Sequence, residues 1–209
     1  ISGVILVLIM IGLMYVGGIL LLVGLLAMSL IGLWEFFHAV SAGGHKPYLY
    51  LGMAGTLFYY GLIWSAIENV WSSAIFLLYI VGFLMALMIR SVTAYPKRRV
   101  EDGALTLMGF LYVPVLFSFL YFLREQEDGI FYVWYVFMAS WGCDTCAYLA
   151  GRFFGKHKMS PHLSPKKTVE GAIGGTLGAI LLSMIYAFCI HSFVHVDSAD
   201  LYILSFFIG

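Results

Sequence analysis

The side chains able to do chemistry are concentrated between positions 140 and 175, SWGCDTCAYLAGRFFGKHKMSPHLSPKKTVEGAIGG. Asp144 stands near the end of one apolar segment, and Glu170 opens the next. Between them Arg152, Lys156, Lys158, Lys166 and Lys167 are interleaved with the turn formers Gly151, Gly155, Pro161 and Pro165, which reads as a compact basic loop over about 150–169. Lys meets phosphate as a mobile point charge and Arg as a two-pronged donor, so such a loop suits a polyphosphate. The plainer reading is attraction to anionic lipid head groups, worth about 1 kcal/mol per basic residue. An acid at each end of the loop is what that plainer reading does not require. On a helix Ser140, Asp144 and Tyr148 share one face with Ala147 and Gly151, leaving space beside the carboxylate for a divalent cation. The alternative is an ion pair between Asp144 and Arg152 or a loop lysine.

The neighbouring residues narrow the chemistry further. Ser164-Pro165-Lys166-Lys167-Thr168 leads into a helix whose N-terminus could be capped by Ser or Thr and could attract an anion. Gly171, Gly174, Gly175 and Gly178 form two interlocking GxxxG pairs, which predict close helix packing and no chemistry. Cys143 and Cys146 form a CxxC inside an apolar helix with no second pair, so neither zinc nor redox work is expected. His191 and His195 read as a solvated loop end. Glu35, between Trp34 and Phe36, either faces a site or marks the membrane edge.

The elements that hold this stretch are apolar. With 62% hydrophobic and 11% charged residues and a mean hydropathy of +0.97, the 209-residue chain lacks the charge to cover a soluble surface. Apolar runs of the length needed to cross a bilayer as helix fall at 1–15, 19–38, 48–67, 71–89, 104–123, 130–149, 170–190 and beyond about 200. The expectation is an all-α polytopic membrane protein. It would be a single bundle over 1–209 of about eight transmembrane helices, with the first and last incomplete. Loops 39–47, 90–103 and 150–169 hold ten of the eleven Lys and Arg residues, and only Arg124 falls outside them. That asymmetry predicts a cytosolic N-terminus and puts Glu35, Asp144 and Glu170 at the cytosolic ends of their helices.

The order Asp144-Thr145-x-Ala147-Tyr148-x-x-Gly151-Arg152, Phe154-Gly155-Lys156 and Ser164-Pro165-Lys166-Lys167-Thr168-x-Glu170-Gly171-x-x-Gly174-Gly175 resembles the phosphatidate cytidylyltransferases (CDP-diacylglycerol synthases), the bacterial branch above all. Trp34-Glu35-Phe36 is similar to that family too. The dense match covers about 36 residues; elsewhere only the hydrophobic layout agrees. That family carries a further block toward its C-terminus, with Pro-Gly-His-Gly-Gly and Asp-Arg-x-Asp, that supplies acidic metal ligands. None occurs here, and the chain is read as truncated before it.

The resemblance implies transfer of CMP from CTP to phosphatidate, giving CDP-diacylglycerol and pyrophosphate, at the cytosolic face of a bacterial inner membrane. It implies Mg²⁺, with room for a second cation. Asp144 would be the metal ligand; Lys166 and Lys167 would neutralise the triphosphate. Arg152, Lys156, Ser164, Thr168 and Glu170 would assist in binding substrate. CTP and membrane phosphatidate are the expected partners, a homodimer is admitted, and nucleic acid is not expected. The rival class, a transporter or channel for an anionic solute, is disfavoured because the polar residues lie at one end of the spans and not at the midplane.

Overall fold

The computed structural model describes residues 2–68, 74–160, 164–196 and 198–209. Position 1 of the first apolar run, positions 71–73 of the fourth and Pro161 of the basic loop lie outside the described residues. Eight helices are present among the described residues. They are α1 (Ser2–Val16), α2 (Gly18–Ala42), α3 (Leu49–Glu68), α4 (Ala74–Ala94), α5 (Val100–Arg124), α6 (129–154), α7 (Val169–Ile190) and α8 (Ser198–Ile208). The protein is all-α in class, and α2, α4, α5 and α7 are each long and apolar enough to cross a membrane. The basic loop is more ordered than its composition suggests. Helix α6 continues to Phe154, and β1 (Lys158–Ser160) pairs antiparallel with β2 (Ser164–Thr168).

The chain divides into two compact units, Ile1–Glu125 and Gln126–Gly209. In the first, α1 turns into α2 through Gly17 and Gly18, whose φ values of 68° and 56° are costly for any residue with a Cβ. The end of α5 clamps this turn from both sides. Arg124 Nε donates to the Met14 carbonyl at 2.7 Å at the C-terminus of α1. Glu125 Oε1 accepts from the Gly18 amide at 2.9 Å at the N-terminus of α2. Each charge has the sign that its helix end favours. The basic residue that stood outside the positive-inside pattern is thus accounted for as a helix clamp.

At the opposite end of this unit a second clasp joins the α2–α3 and α4–α5 connections. Asp102, 4% exposed, accepts from the Lys46 amide at 2.7 Å and the Arg99 amide at 3.0 Å. The Tyr48 amide donates to Thr106 Oγ1 at 2.8 Å, and Arg98 donates to the Lys46 and Pro47 carbonyls. Asp102 is thus a buried tie between two loops. Between the clasps, Ser29–Tyr60 and Tyr59–Ser118 hydroxyl pairs at 2.8 and 3.0 Å join α2, α3 and α5 through the apolar interior. Pro114 lies inside α5, where a π turn (Leu111–Val115) absorbs the missing backbone donor.

In the second unit α7 packs along α6, and α8 returns against α7 through a core of Tyr135, Ala187, Ile190, Val194 and Leu201. Ser205 Oγ donates to Tyr135 OH at 2.9 Å. Asp128, which precedes α6 in a left-handed conformation (φ 59°), accepts from the His195 amide at 2.7 Å and meets its Nδ1 at 3.0 Å. Those contacts hold Asp128 below the usual carboxylate range and raise His195. The solvated histidine end expected from sequence is therefore tied down at one residue.

Asp102→Ala is expected to lower stability by about 2 kcal/mol, since it strands two backbone donors that water cannot reach freely. A melting curve in detergent reads it; an unchanged Tm would remove the clasp from this account.

Candidate functional site

The candidate side chains described between positions 140 and 175 belong to the second unit, on α6, the 155–157 turn, the hairpin or the start of α7. Their placement depends on how closely α6 and α7 approach. A Cβ on Gly175 would lie 2.8 Å from Ala147 Cβ and 3.0 Å from the Cys143 carbonyl oxygen, and one on Gly171 would lie 3.2 Å from Gly151 Cα. Gly174 and Gly178 face Ala150 and Cys146 just as tightly. The glycines pack, as their spacing predicts. The two cysteines of the CxxC are small residues on the facing side of that seam.

Asp144 flanks this packed stripe and is exposed. It has no hydrogen-bond or ion-pair partner among the described residues, so the ion pair with Arg152 or a loop lysine is not formed. Tyr148, on the same face, is 64% exposed. Ser140 stands differently from expectation. It falls in a π turn, Met138–Gly142, so α-helical i, i+4 spacing holds only from Cys143 onward. Asp144 lies seven residues before Gly151, which is about 10 Å along the helix axis.

At the Gly151 end, Thr168 organises the chain. It is 8% exposed, and its Oγ1 accepts from the Gly171 amide at 3.1 Å as the N-cap of α7. Cβ atoms on Gly151 and Gly155 would come within 3.0 and 2.9 Å of that side chain, so both glycines are needed for the turn to close on it. Glu170 accepts from the Lys156 amide at 3.1 Å and the His157 amide at 3.2 Å, and its Oε1 lies 2.6 Å from His157 Nδ1. The Val169 amide donates to the His157 carbonyl at 2.9 Å. The start of α7 is thus pinned from within the chain, and the amides of Val169 and Gly171 are already spent. The structure therefore gives Thr168 and Glu170 positional work. Any phosphate here would be met by side chains and not by a bare helix N-terminus. His157, the side chain closest to Glu170, was missed by sequence reasoning; only its place inside the basic loop hinted at it.

The cations are free, whereas Glu170 is spent on the 155–157 turn. Arg152, Lys156, Lys158, Lys166 and Lys167 are exposed, with no acid paired to any of them among the described residues. Ser164 is half-buried at the start of β2. In the hairpin Lys158 pairs with Thr168 and Ser160 with Ser164, so Pro165, Lys166 and Lys167 oppose Met159 alone. A bulge of this kind re-aims side chains, here the two adjacent lysines.

A model of the cytidylyltransferase family matches residues 1–209, the whole chain. The chain belongs to the cytidylyltransferase family. Among curated relatives it is similar to the phosphatidate cytidylyltransferase of Staphylococcus haemolyticus, 39% identical over 106 residues, covering 50% of this chain and 40% of that protein. That of Staphylococcus aureus (strain COL) is also 39% identical over 106 residues, covering 49% of this chain and 40% of the relative. The Staphylococcus epidermidis enzyme (strain ATCC 12228) is 39% identical over 103 residues, 48% of this chain and 39% of the relative. The matched stretch spans about two fifths of those relatives.

Asp144 supplies the kind of donor that a family member acting on a nucleoside triphosphate would use for a hard cation, an exposed carboxylate with no competing partner. No group of three or more His, Cys, Asp or Glu side chains converges to hold a metal among the described residues. One protein carboxylate completed by substrate phosphates and water fits that arrangement. Glu35 belongs to the first unit, exposed on α2 outside its buried stripe.

Gly175→Val should overfill the α6–α7 seam at a cost of about 1–3 kcal/mol, whereas Gly12→Ala, with nothing within 4 Å, should be close to neutral. Thermal melts of the two variants check this; equal Tm values would contradict a close-packed seam.

Proposed function

We propose that this protein transfers CMP from CTP to phosphatidate, forming CDP-diacylglycerol and pyrophosphate. The observation that carries the reading is an exposed, unpaired Asp144 on the same helix–hairpin unit as five unpaired cations. Family membership and the names of the Staphylococcus relatives support it.

In this reading a phosphatidate phosphate oxygen attacks the α-phosphorus of CTP in line. A new P–O–P bond forms as the bond to the α,β-bridging oxygen breaks, and pyrophosphate leaves with that electron pair. Little covalent work falls to the protein, so positioning and charge neutralisation dominate. Lys166 and Lys167, re-aimed by the bulge, would meet the triphosphate, with Arg152 and Lys156 assisting. Ser164 at the start of β2 would add a hydroxyl contact to the same phosphates. Thr168 and Glu170 would act by holding the hairpin and the 155–157 turn in place. Asp144 would hold Mg²⁺, and a second cation beside it, with phosphate oxygens filling the remaining positions. The chemistry such cations supply is neutralisation of charge on the phosphates.

The polar end would face the cytosol of a bacterial cell, where CTP is available and the inner-leaflet lipid phosphate is within reach. Ten of eleven basic residues in the predicted inside loops support that orientation. So does Arg124, whose clamp on the α1–α2 turn accounts for its place at the other end of the first unit.

Asp144→Asn should lower Mg²⁺- and phosphatidate-dependent pyrophosphate release from CTP by about 100-fold or more while leaving the melting curve intact. Lys166→Ala and Lys167→Ala should raise the KM for CTP by about tenfold, the loss of one charge-assisted contact. Turnover of Asp144→Asn within twofold of the unsubstituted protein would remove the metal role, and an unchanged CTP dependence in both lysine variants would reduce the hairpin to a lipid-surface contact.

A further inference from the structure

The first unit holds an open groove of about 620 Å³ between α3 and α4, walled by Leu51, Gly55 and Phe58 on one side and Tyr79, Gly82 and Ala86 on the other. Among the described residues Tyr79 supplies its one lining hydroxyl, and that is turned onto the Gly55 carbonyl at 2.6 Å. The walls therefore offer hydrocarbon. The groove is open beside Gly82, where a Cβ would meet nothing within 4 Å.

The groove runs into charge at one end. Arg90 is four residues past Ala86 and continues the lining stripe of α4; Tyr48 stands in the loop immediately before α3, three residues ahead of the lining residue Leu51. The Arg90 guanidinium lies 5.8 Å from the centre of the Tyr48 ring, and Arg98 lies 5.0 Å from it. The carbonyls of Lys46 and Pro47 hold Arg98 there. Lys46, Lys97 and Arg99 are exposed around the same loops. None of these cations forms an ion pair among the described residues, and the nearby buried acid, Asp102, is occupied by two backbone amides.

We propose that this is a binding site for an anionic glycerophospholipid, with one acyl chain along the α3–α4 groove and the head-group phosphate at the Arg90–Tyr48–Arg98 cluster. Each half of the site selects a different half of the ligand. The groove gives an acyl chain walls that a free phosphate could not use, and the unpaired cations favour a net negative head group over a zwitterion. Arg90 is the residue both halves share, being the charged continuation of an apolar stripe. None of these residues belongs to the candidate transferase site, so the proposal stands or falls separately from that activity.

Native mass spectrometry of the intact protein, titrated with phosphatidylglycerol and with phosphatidylcholine of matched chains, tests it. Phosphatidylglycerol should bind about fivefold or more tightly than phosphatidylcholine, and Arg90→Gln should remove that preference. Gly82→Leu, which fills the groove, should abolish retention of both lipids. Gly61→Leu, equally open on α3 but not a groove wall, should keep it. Equal binding of the two lipids, or undiminished binding by Gly82→Leu, would overturn the proposal. A dimer without bound lipid that Gly82→Leu dissociates would also overturn it, by assigning the groove to a second copy of the chain.

Discussion

Two backbones approach within side-chain-free distance along the α6–α7 seam, and the candidate site depends on that approach. Gly171, Gly174, Gly175 and Gly178 present nothing to Cys143, Cys146, Ala147, Ala150 and Gly151, so the helices can pack closely without apolar interdigitation. In a membrane, where lipid is as apolar as leucine, such contact and internal hydrogen bonding replace the hydrophobic drive. The seam also leads to the point where α6 ends, at Phe154. Gly155 and Gly151 close on Thr168, Thr168 caps α7, and Glu170 ties back the turn between them. A basic hairpin is thereby fixed to the end of a tightly packed helix pair.

The first unit solves a related problem with charge. Its helix ends and loops carry backbone groups that need partners near apolar surroundings, and acids and arginines supply them. Arg124 and Glu125 serve the two ends of one turn with opposite signs, and Asp102 serves two loops at once. These residues are spent on architecture. Among the described residues, Asp144 and the cations of the hairpin in one unit and Arg90 in the other carry charges without an ion-pair partner and are free to meet something else.

Much of this was legible in the sequence. The apolar runs announced the helices, the GxxxG pairs announced the α6–α7 contact, and the order of acids, bases and glycines after Ser140 announced the family. What could not be read were relations that depend on distant partners. Asp102 looks like a loop acid until Lys46, 56 residues away, is seen donating to it. His157 carries no signature of its own, because its role arises from a turn that brings it to Glu170. The hairpin and its bulge were hidden by Gly and Pro, which read as punctuation between cations. The π turn at Met138–Gly142 was likewise invisible to a reading that assumes 3.6 residues per turn.

The central claim, that this fold joins a cytidine nucleotide to a lipid phosphate, is tested most directly by following the phosphorus atoms. The intact protein would be given phosphatidate, Mg²⁺ and CTP labelled either at the α- or at the γ-phosphorus, and the lipid extract counted. The account predicts that α-label enters the lipid fraction while γ-label stays in water as pyrophosphate. Lipid-bound γ-label would instead indicate kinase-type transfer, and no lipid-bound label from either CTP, in a folded preparation, would contradict the account outright.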